Sequence, residues 1–342
     1  MISRKHFTYI AVLLVTLMCT CVGCSSERLE RQKELRELGI LQLKNEQYEL
    51  ALESFQLALD ESLGNIGEME LDLCLYKAKT QYLLGDVEGA IGTYTSVIGY
   101  NNSPKAYYLR GTVYLDRAEF YANPENGATA DADYVKLAFS DFNTATIYDP
   151  KSYDLFIGIY DALTDHGALL TPEQTHKAIE YLYKALEIPG ETAYDKMQKG
   201  WIQFILGKNQ EALTLLTDAV SQGQEPNAYY CLAQVCLAMG DGEAAKTNME
   251  DYIATGIADS YKLFDIAEAQ MAKKNYDVAI TCLEAAMELE DLPNKQVIMR
   301  TLAIAYENVA QFDKAKSILS AYVNLYPSDE EAKRELTFLE TR

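Results

Sequence analysis

The sequence predicts an all-α fold, an α-solenoid of about eight stacked helix–turn–helix units closed by a C-terminal capping helix. Three observations predict it. Pro is scarce, at 8 in 342 residues, while helix-forming Ala, Leu, Glu and Lys abound. A ladder of small residues recurs along the chain at a fixed spacing. Between its rungs stand short turns, LGDVEGA, LGKNQEA, MGDGEAA and KKNYDVA, suited to ending one helix and starting the next.

The ladder defines the unit. Gly39 is followed 12 residues later by Ala51, then by Phe55 and Ala58. The same spacing recurs at Ala78/Ala90/Tyr94, Gly200/Ala212/Leu216/Ala219, Ala233/Ala245/Met249, Ala267/Ala279/Leu283/Ala286 and Ala303/Ala315/Leu319. Two further copies carry insertions. Gly111 precedes Ala138, Phe142 and Ala145 with 15 extra residues, and Tyr160 fills the small position before Ala178, Leu182 and Ala185 with about six extra. Two antiparallel helices approach closely only where facing side chains are small, and the large apolar residue one turn on fills the adjoining gap. Gly85, Gly207 and Gly240 suit a left-handed cap on the first helix, and Asp86 and Asn209 suit the start of the second. One pair cannot bury its own apolar face, so pairs must stack.

This pattern resembles the tetratricopeptide repeat, a helix–turn–helix unit of 34 residues. The Pro that ends that unit survives at Pro150 and Pro327, and the Trp of its first helix is absent from the usual place. The resemblance covers about residues 30–328. It implies a right-handed solenoid over 32–327, with insertions near 117–132 and 164–176, and a polar-faced capping helix over 328–342, where SDEEAKRELTFLE opens on a capping Ser or Asp. The first insertion, RAEFYANPENGATADAD, reads as an acidic loop without the spacing of a calcium site.

The first 26 residues have another character. Arg4 and Lys5 precede an uncharged apolar stretch from Phe7 to Met18, and small residues and cysteines follow. That is the layout of a secretory signal peptide over 1–23. CVGC resembles a bacterial lipobox with Gly23 before Cys24, although Cys21 stands where Leu is usual. The resemblance implies a lipoprotein: Cys24 thioether-linked to diacylglycerol, its new amine acylated by a palmitate-class chain, and a short lipidated segment over 24–31. Two acyl chains hold a protein on a membrane where one does not. An uncleaved membrane anchor is the rival reading, and both place the body of the chain outside the cytoplasm. Ser25 lacks the Asp of inner-membrane retention, which points to the outer membrane if the cell has two.

Net charge is −21, and without Arg4 and Lys5 it is −23. Such a surface repels phosphate backbones, so no nucleic-acid partner is expected. Cys74, Cys231, Cys236 and Cys282 are scattered through apolar stretches without framework spacing and read as buried free thiols. His166 and His176 fall in the second insertion with Asp165 and Glu173, at a spacing that matches no ligand pattern, and read as surface residues. No Gly-rich phosphate loop, G-x-S-x-G elbow or H-E-x-x-H occurs. No cofactor, no metal and no catalysis are expected.

In the family resembled, first helices line the concave face. The inward positions lie six and three before each small residue, and one and four after it. They hold Tyr82 in the second copy, Tyr108 in the third, Tyr194, Trp201 and Phe204 in the fifth, Tyr230 in the sixth, and Tyr261 and Phe264 in the seventh. Gln234 and Met271 share that face. Aromatic and Met-rich grooves fit a peptide or partner helix. They also fit a glycan, with Trp201, Tyr230 and Phe264 as stacking platforms. The same side chains could instead pack on neighbouring helices. Lys33, Arg36, Lys79, Lys105 and Arg300 do not reproduce the family's carboxylate-gripping set. The expected function is therefore a membrane-anchored, extracytoplasmic scaffold for an unknown protein or peptide, with a glycan receptor as the alternative.

Overall fold

The computed structural model describes residues 27–127, 133–223, 225–289 and 295–341. The readings made on residues 1–23 and on Cys24 lie outside the described residues. Within them the chain forms seventeen α-helices and no strand. It divides into two compact units, Met1–Ala185 and Leu186–Arg342. The first contains α1 (27–44), α2 (Tyr48–Glu61), α3 (Glu68–Leu83), α4 (Val87–Asn101), α5 (Pro104–Ala122), α6 (Tyr134–Tyr148), α7 (Tyr153–Asp165) and α8, which spans Pro172–Leu186. The second contains α9 (Ala193–Ile205), α10 (Asn209–Ser221), α11 (Asn227–Ala238), α12 (Gly242–Ala254), α13 (Ser260–Ala272), α14 (Tyr276–Glu288), α15 (Lys295–Asn308), α16 (Phe312–Leu325) and α17 (Glu330–Glu340). Consecutive helices pack as pairs and the pairs stack, so the fold is an all-α repeat solenoid.

The ladder is the core. Ala51, Ala90, Ala138, Ala212, Ala245, Ala279 and Ala315 are wholly buried, as are Phe55, Phe142, Leu182, Leu216, Met249, Leu283 and Leu319 one turn on. The closeness of the pairing is measurable at the glycines. A methyl group on Gly39 would stand 2.6 Å from the Phe55 ring, one on Gly111 2.6 Å from the Phe142 ring, and one on Gly200 2.7 Å from Leu216. The small residue is thus the seat of the large one.

The turn seven residues after the small position is left-handed in six copies, at Glu46, Gly85, Gly207, Gly240, Lys274 and Ala310. Glycine takes that conformation freely, and other residues are strained in it by a contact between Cβ and carbonyl oxygen. Lys274→Gly and Ala310→Gly should each stabilise the chain by about 0.5–1 kcal/mol, read as a higher urea midpoint. A lower midpoint would show that these positions carry no strain. Asp86 caps α4 as expected, accepting from the Gly89 N–H at 2.9 Å. Asn209 does not cap α10: it is the first helical residue, and Lys208 takes the cap position, where its side chain makes no capping hydrogen bond.

The first insertion differs from its expected loop. Residues 117–122 continue α5 as helix. Arg117 makes this possible, since it pairs with Glu88 and lies over the rings of Tyr121 and Tyr134, at 5.6 and 5.0 Å. In the second insertion α7 runs to Asp165, a 3₁₀ turn spans Gly167–Leu169, and α8 starts early at Pro172. At the C-terminal end, Asp329 accepts from the N–H groups of Glu331 and Ala332 and starts α17, whose Ala332 and Leu339 are buried.

Cys231, Cys236 and Cys282 are buried free thiols and Cys74 is half-buried. Burial pushes Cys231 and Cys282 up to about 12, because an apolar interior disfavours the thiolate. Above the ordinary thiol range the unfolded chain releases protons that the native chain retains. Stability should therefore be intact at pH 8 and fall as pH rises from about 9 towards 12, by roughly 1.4 kcal/mol per unit for each thiol. Urea midpoints at pH 8 and 10.5 test this, and equal midpoints would contradict it.

Candidate binding surface

The eight aromatic residues at inward positions fall into two groups by unit. In the first unit, Tyr82 on α3 is half-buried and its hydroxyl bonds Asp116 on α5. Burial first, and the Asp116 carboxylate second, push its phenol up to about 12. It lines a groove of about 440 Å³ with Val87, Val113, Arg117, Phe120 and Tyr121. Tyr108 on α5 is half-buried, its ring 6.2 Å from that of Phe142 and its hydroxyl against Gly158 of α7, where a methyl group would stand 3.0 Å from it.

In the second unit, first helices α9, α11 and α13 carry the other six. Tyr194 and Tyr261 are exposed, at 41% and 50%. Trp201 and Phe204 are half-buried on α9, their rings 5.2 Å apart, and both rest on the core. Phe264 on α13 also rests on the core, half-buried. Tyr230 on α11 is more committed, with Tyr252 5.7 Å from its ring and the Lys262 ammonium 5.7 Å over it. None of the eight is fully buried, so each keeps surface a ligand can use.

A polar feature shares α11 and α13 with three of these aromatics. Asn275 Nδ2 donates to Gln270 Oε1 at 2.9 Å, and Gln270 Nε2 donates to Gln234 Oε1 at 3.3 Å. Both glutamines are buried, Gln234 at 7% exposure and Gln270 at 1%. The chain of donors ends at Gln234 Nε2, which has no hydrogen-bond partner among the described residues. Gln234 occupies the inward position on α11 between Tyr230 and Leu237. Gln270 was not legible as its partner, because polar residues on a helix read as solvated until the packing is known.

The charged residues considered for other chemistry are occupied. Arg36 pairs with Asp72 at 2.6 Å, and Arg300 with Glu335 at 2.6 Å, so neither offers a free charge to a carboxylate. Lys33 pairs with Glu30, while Lys79 and Lys105 are exposed on α3 and α5. His166, expected at the surface, is half-buried instead, with 10% of its side chain exposed. Its Nδ1 faces the Ala162 carbonyl at 2.8 Å, and its Nε2 faces Asp116 at 3.1 Å and Glu119 at 3.5 Å, so it ties the second insertion to α5. His176 is exposed beside Glu180, and the two histidines answer to different partners. Among the described residues no group of three His, Cys, Asp or Glu side chains is placed to hold a metal. No described helix is long and apolar enough to cross a membrane.

Stacked helix pairs with partly open aromatics on their first helices define an all-α repeat solenoid. The family profile described as Tetratricopeptide repeat matches residues 263–291, the pair α13–α14. No curated protein matches the chain. Among solved structures, a tetratricopeptide repeat protein from Parabacteroides merdae ATCC 43184 is 18% identical over 81% of this chain and 99% of its own, with a TM-score of 0.41. A thermophilic TPR protein of Thermus thermophilus is 20% identical over 60% of this chain and 99% of its own, with a TM-score of 0.39. Pseudomonas aeruginosa PilF is 18% identical over 70% of this chain and 99% of its own, with a TM-score of 0.37.

Proposed function

We propose that this chain is a non-catalytic scaffold that captures a peptide or protein segment on the inward face of its second unit. The observation that carries this reading is the buried, unpartnered amide donor of Gln234, set among the half-exposed Trp201, Phe204, Tyr230 and Phe264. A buried polar group without a partner costs about 1–3 kcal/mol. The amide is shut off from solvent, so a peptide carbonyl supplies the missing acceptor only by displacing a side chain that covers it, while the aromatics supply apolar area around it. A sugar ring needs an open aromatic face, and that of Tyr230 is taken up by Lys262 and Tyr252, which favours the peptide.

The reading includes a location. The charged start, the apolar stretch and CVGC support a chain lipidated at Cys24 and held outside the cytoplasm. Mass spectrometry of the mature N-terminus tests it: a diacylglyceryl Cys24 is expected, and an intact Cys21–Cys24 segment would replace the lipid by a membrane helix.

The groove is tested by affinity capture from envelope extract with the full chain and two variants. Trp201→Ala/Phe264→Ala should weaken capture of its main protein at least about tenfold. Gln234→Met keeps volume but removes the donor. It should weaken capture, and because it also takes the acceptor from the buried Gln270 Nε2, the urea midpoint should fall modestly rather than rise. Undiminished capture by both variants would sink the groove.

A further inference from the structure

The first helix pair presents an inter-repeat face on which nothing is stacked among the described residues. In the repeat, the residues one before and two after the small position of the first helix turn towards the preceding pair. Ile159, Leu232, Ile266 and Leu302 hold the first of these positions, and Thr80, Val113, Val235 and Ala305 the second, and all are buried. On the second helix, the residues one before and six after the conserved Ala lie at the rim of that face and stay mostly exposed. Lys314 reaches Glu284 of the preceding pair at 3.7 Å, Val278 is buried, and Ser96 lines a cavity with Leu59 and Ile66 of the pair before it.

In the first copy these four positions are Leu38, Leu41, Leu50 and Leu57, exposed at 45%, 55%, 49% and 46%. Among the described residues no pair precedes α1. Terminal repeats ordinarily turn a polar face outward, and the opposite end of the chain obeys this through α17. Leu38 and Leu41, in positions that stacking covers in most other copies, therefore join Leu50 and Leu57 of α2 in one exposed apolar face.

The charge around them selects the occupant. Glu34 and Glu37 stand one helical turn before Leu38 and Leu41, and Glu53 stands between Leu50 and Leu57 on the same helix face. All three carboxylates are exposed and take part in no ion pair or hydrogen bond among the described residues, and they outnumber Lys44, which stands one turn after Leu41. A second copy stacked face to face would bring six such carboxylates together, and an anionic bilayer would meet the same repulsion. We infer that the α1–α2 face docks an amphipathic helix of another protein, with an apolar stripe flanked by Lys or Arg, which extends the stack by one element. This site is separate from the groove of the second unit and does not rest on the function proposed for it.

The test uses the full-length chain in phosphatidylcholine nanodiscs and a fluorescent 18-residue helical peptide of Leu and Lys, its leucines on one face. Binding is followed by anisotropy, with a Leu/Glu peptide of the same pattern as control. The Leu/Lys peptide should bind and the control should not. Leu38→Asp/Leu57→Asp should weaken binding at least about tenfold. Glu34→Lys/Glu37→Lys/Glu53→Lys leaves the leucines in place and should reverse the choice, rejecting the Lys peptide and accepting the Glu peptide. Helical circular dichroism equal to that of the parent shows that the variants are folded. Failure of the parent chain to bind, or equal binding by either variant, overturns the proposal. So does a sedimentation dimer dissolved by the leucine change, which assigns the face to a second copy. Leucine-dependent binding to phosphatidylglycerol vesicles assigns it to a membrane and overturns the proposal equally.

Discussion

Phe142→Ala should destabilise the chain by about 3–5 kcal/mol, seen as a large fall in the urea midpoint of the first unit. Phe142 on α6 is wholly buried and fills the space left by Gly111 on α5, which has no side chain of its own. Removing the ring deletes its apolar burial and opens a cavity between two helices that many other contacts hold apart. The reciprocal change has a different cause. Gly111→Ala puts a methyl group 2.6 Å from the ring, so ring or helix must shift, at about 1–3 kcal/mol. The two changes should not add. In Gly111→Ala/Phe142→Ala the new methyl group enters the vacated space, and the double variant should be more stable than the sum of the singles predicts, by about 1 kcal/mol or more. Strict additivity would mean that Gly111 and Phe142 do not seat one another.

That contact was legible in the sequence because its two members keep a fixed separation in every copy without an insertion. Periodicity reports what recurs. Ala at the second-helix position and the large residue four later recur, and both are core. What belongs to one copy alone was less legible. Residues 117–122 read as loop because the repeat gives no register beyond its own length, and their helix depends on Arg117 meeting Glu88, Tyr121 and Tyr134. His166 read as exposed because its partners, Asp116 and Glu119, lie on α5, about 50 residues earlier. The left-handed turns at Glu46, Lys274 and Ala310 were hidden because residue type announces that conformation only when it is Gly. Of the candidate surface, the eight aromatics were reached by counting from the small residue, and all lie half-buried or exposed on first helices. The Asn275–Gln270–Gln234 relay could not, since its direction is set by amide contacts between neighbouring pairs.

The other large effect lies beside Phe142. Asp141→Ala should destabilise by about 3–5 kcal/mol, because it strands a charge. Arg110 on α5 sends Nε to Asp141 Oδ2 and Nη2 to Oδ1, both at 2.8 Å, while Nη1 donates to Thr95 Oγ1 at 2.8 Å. Only 15% of the Arg110 side chain and 8% of Asp141 remain exposed, and the rings of Tyr107 and Tyr114 lie 5.8 and 5.7 Å from the guanidinium. Without the carboxylate that cation stays buried with one hydroxyl and two ring faces. Asp141→Asn should cost less, since one acceptor oxygen survives. The repeat itself indicates how to remove the pair safely. The positions of Arg110 and Asp141 are filled in the eighth copy by Leu302 and Ile318, an apolar solution to the same packing problem. Arg110→Leu/Asp141→Ile should therefore recover most of the stability that Asp141→Ala loses, and can exceed that of the parent chain, because burying two charges is expensive even when they meet. Urea unfolding of the two single variants and the double closes the cycle. A double variant as unstable as Asp141→Ala would mean that the ion pair fixes the third helix pair in a way an apolar contact does not.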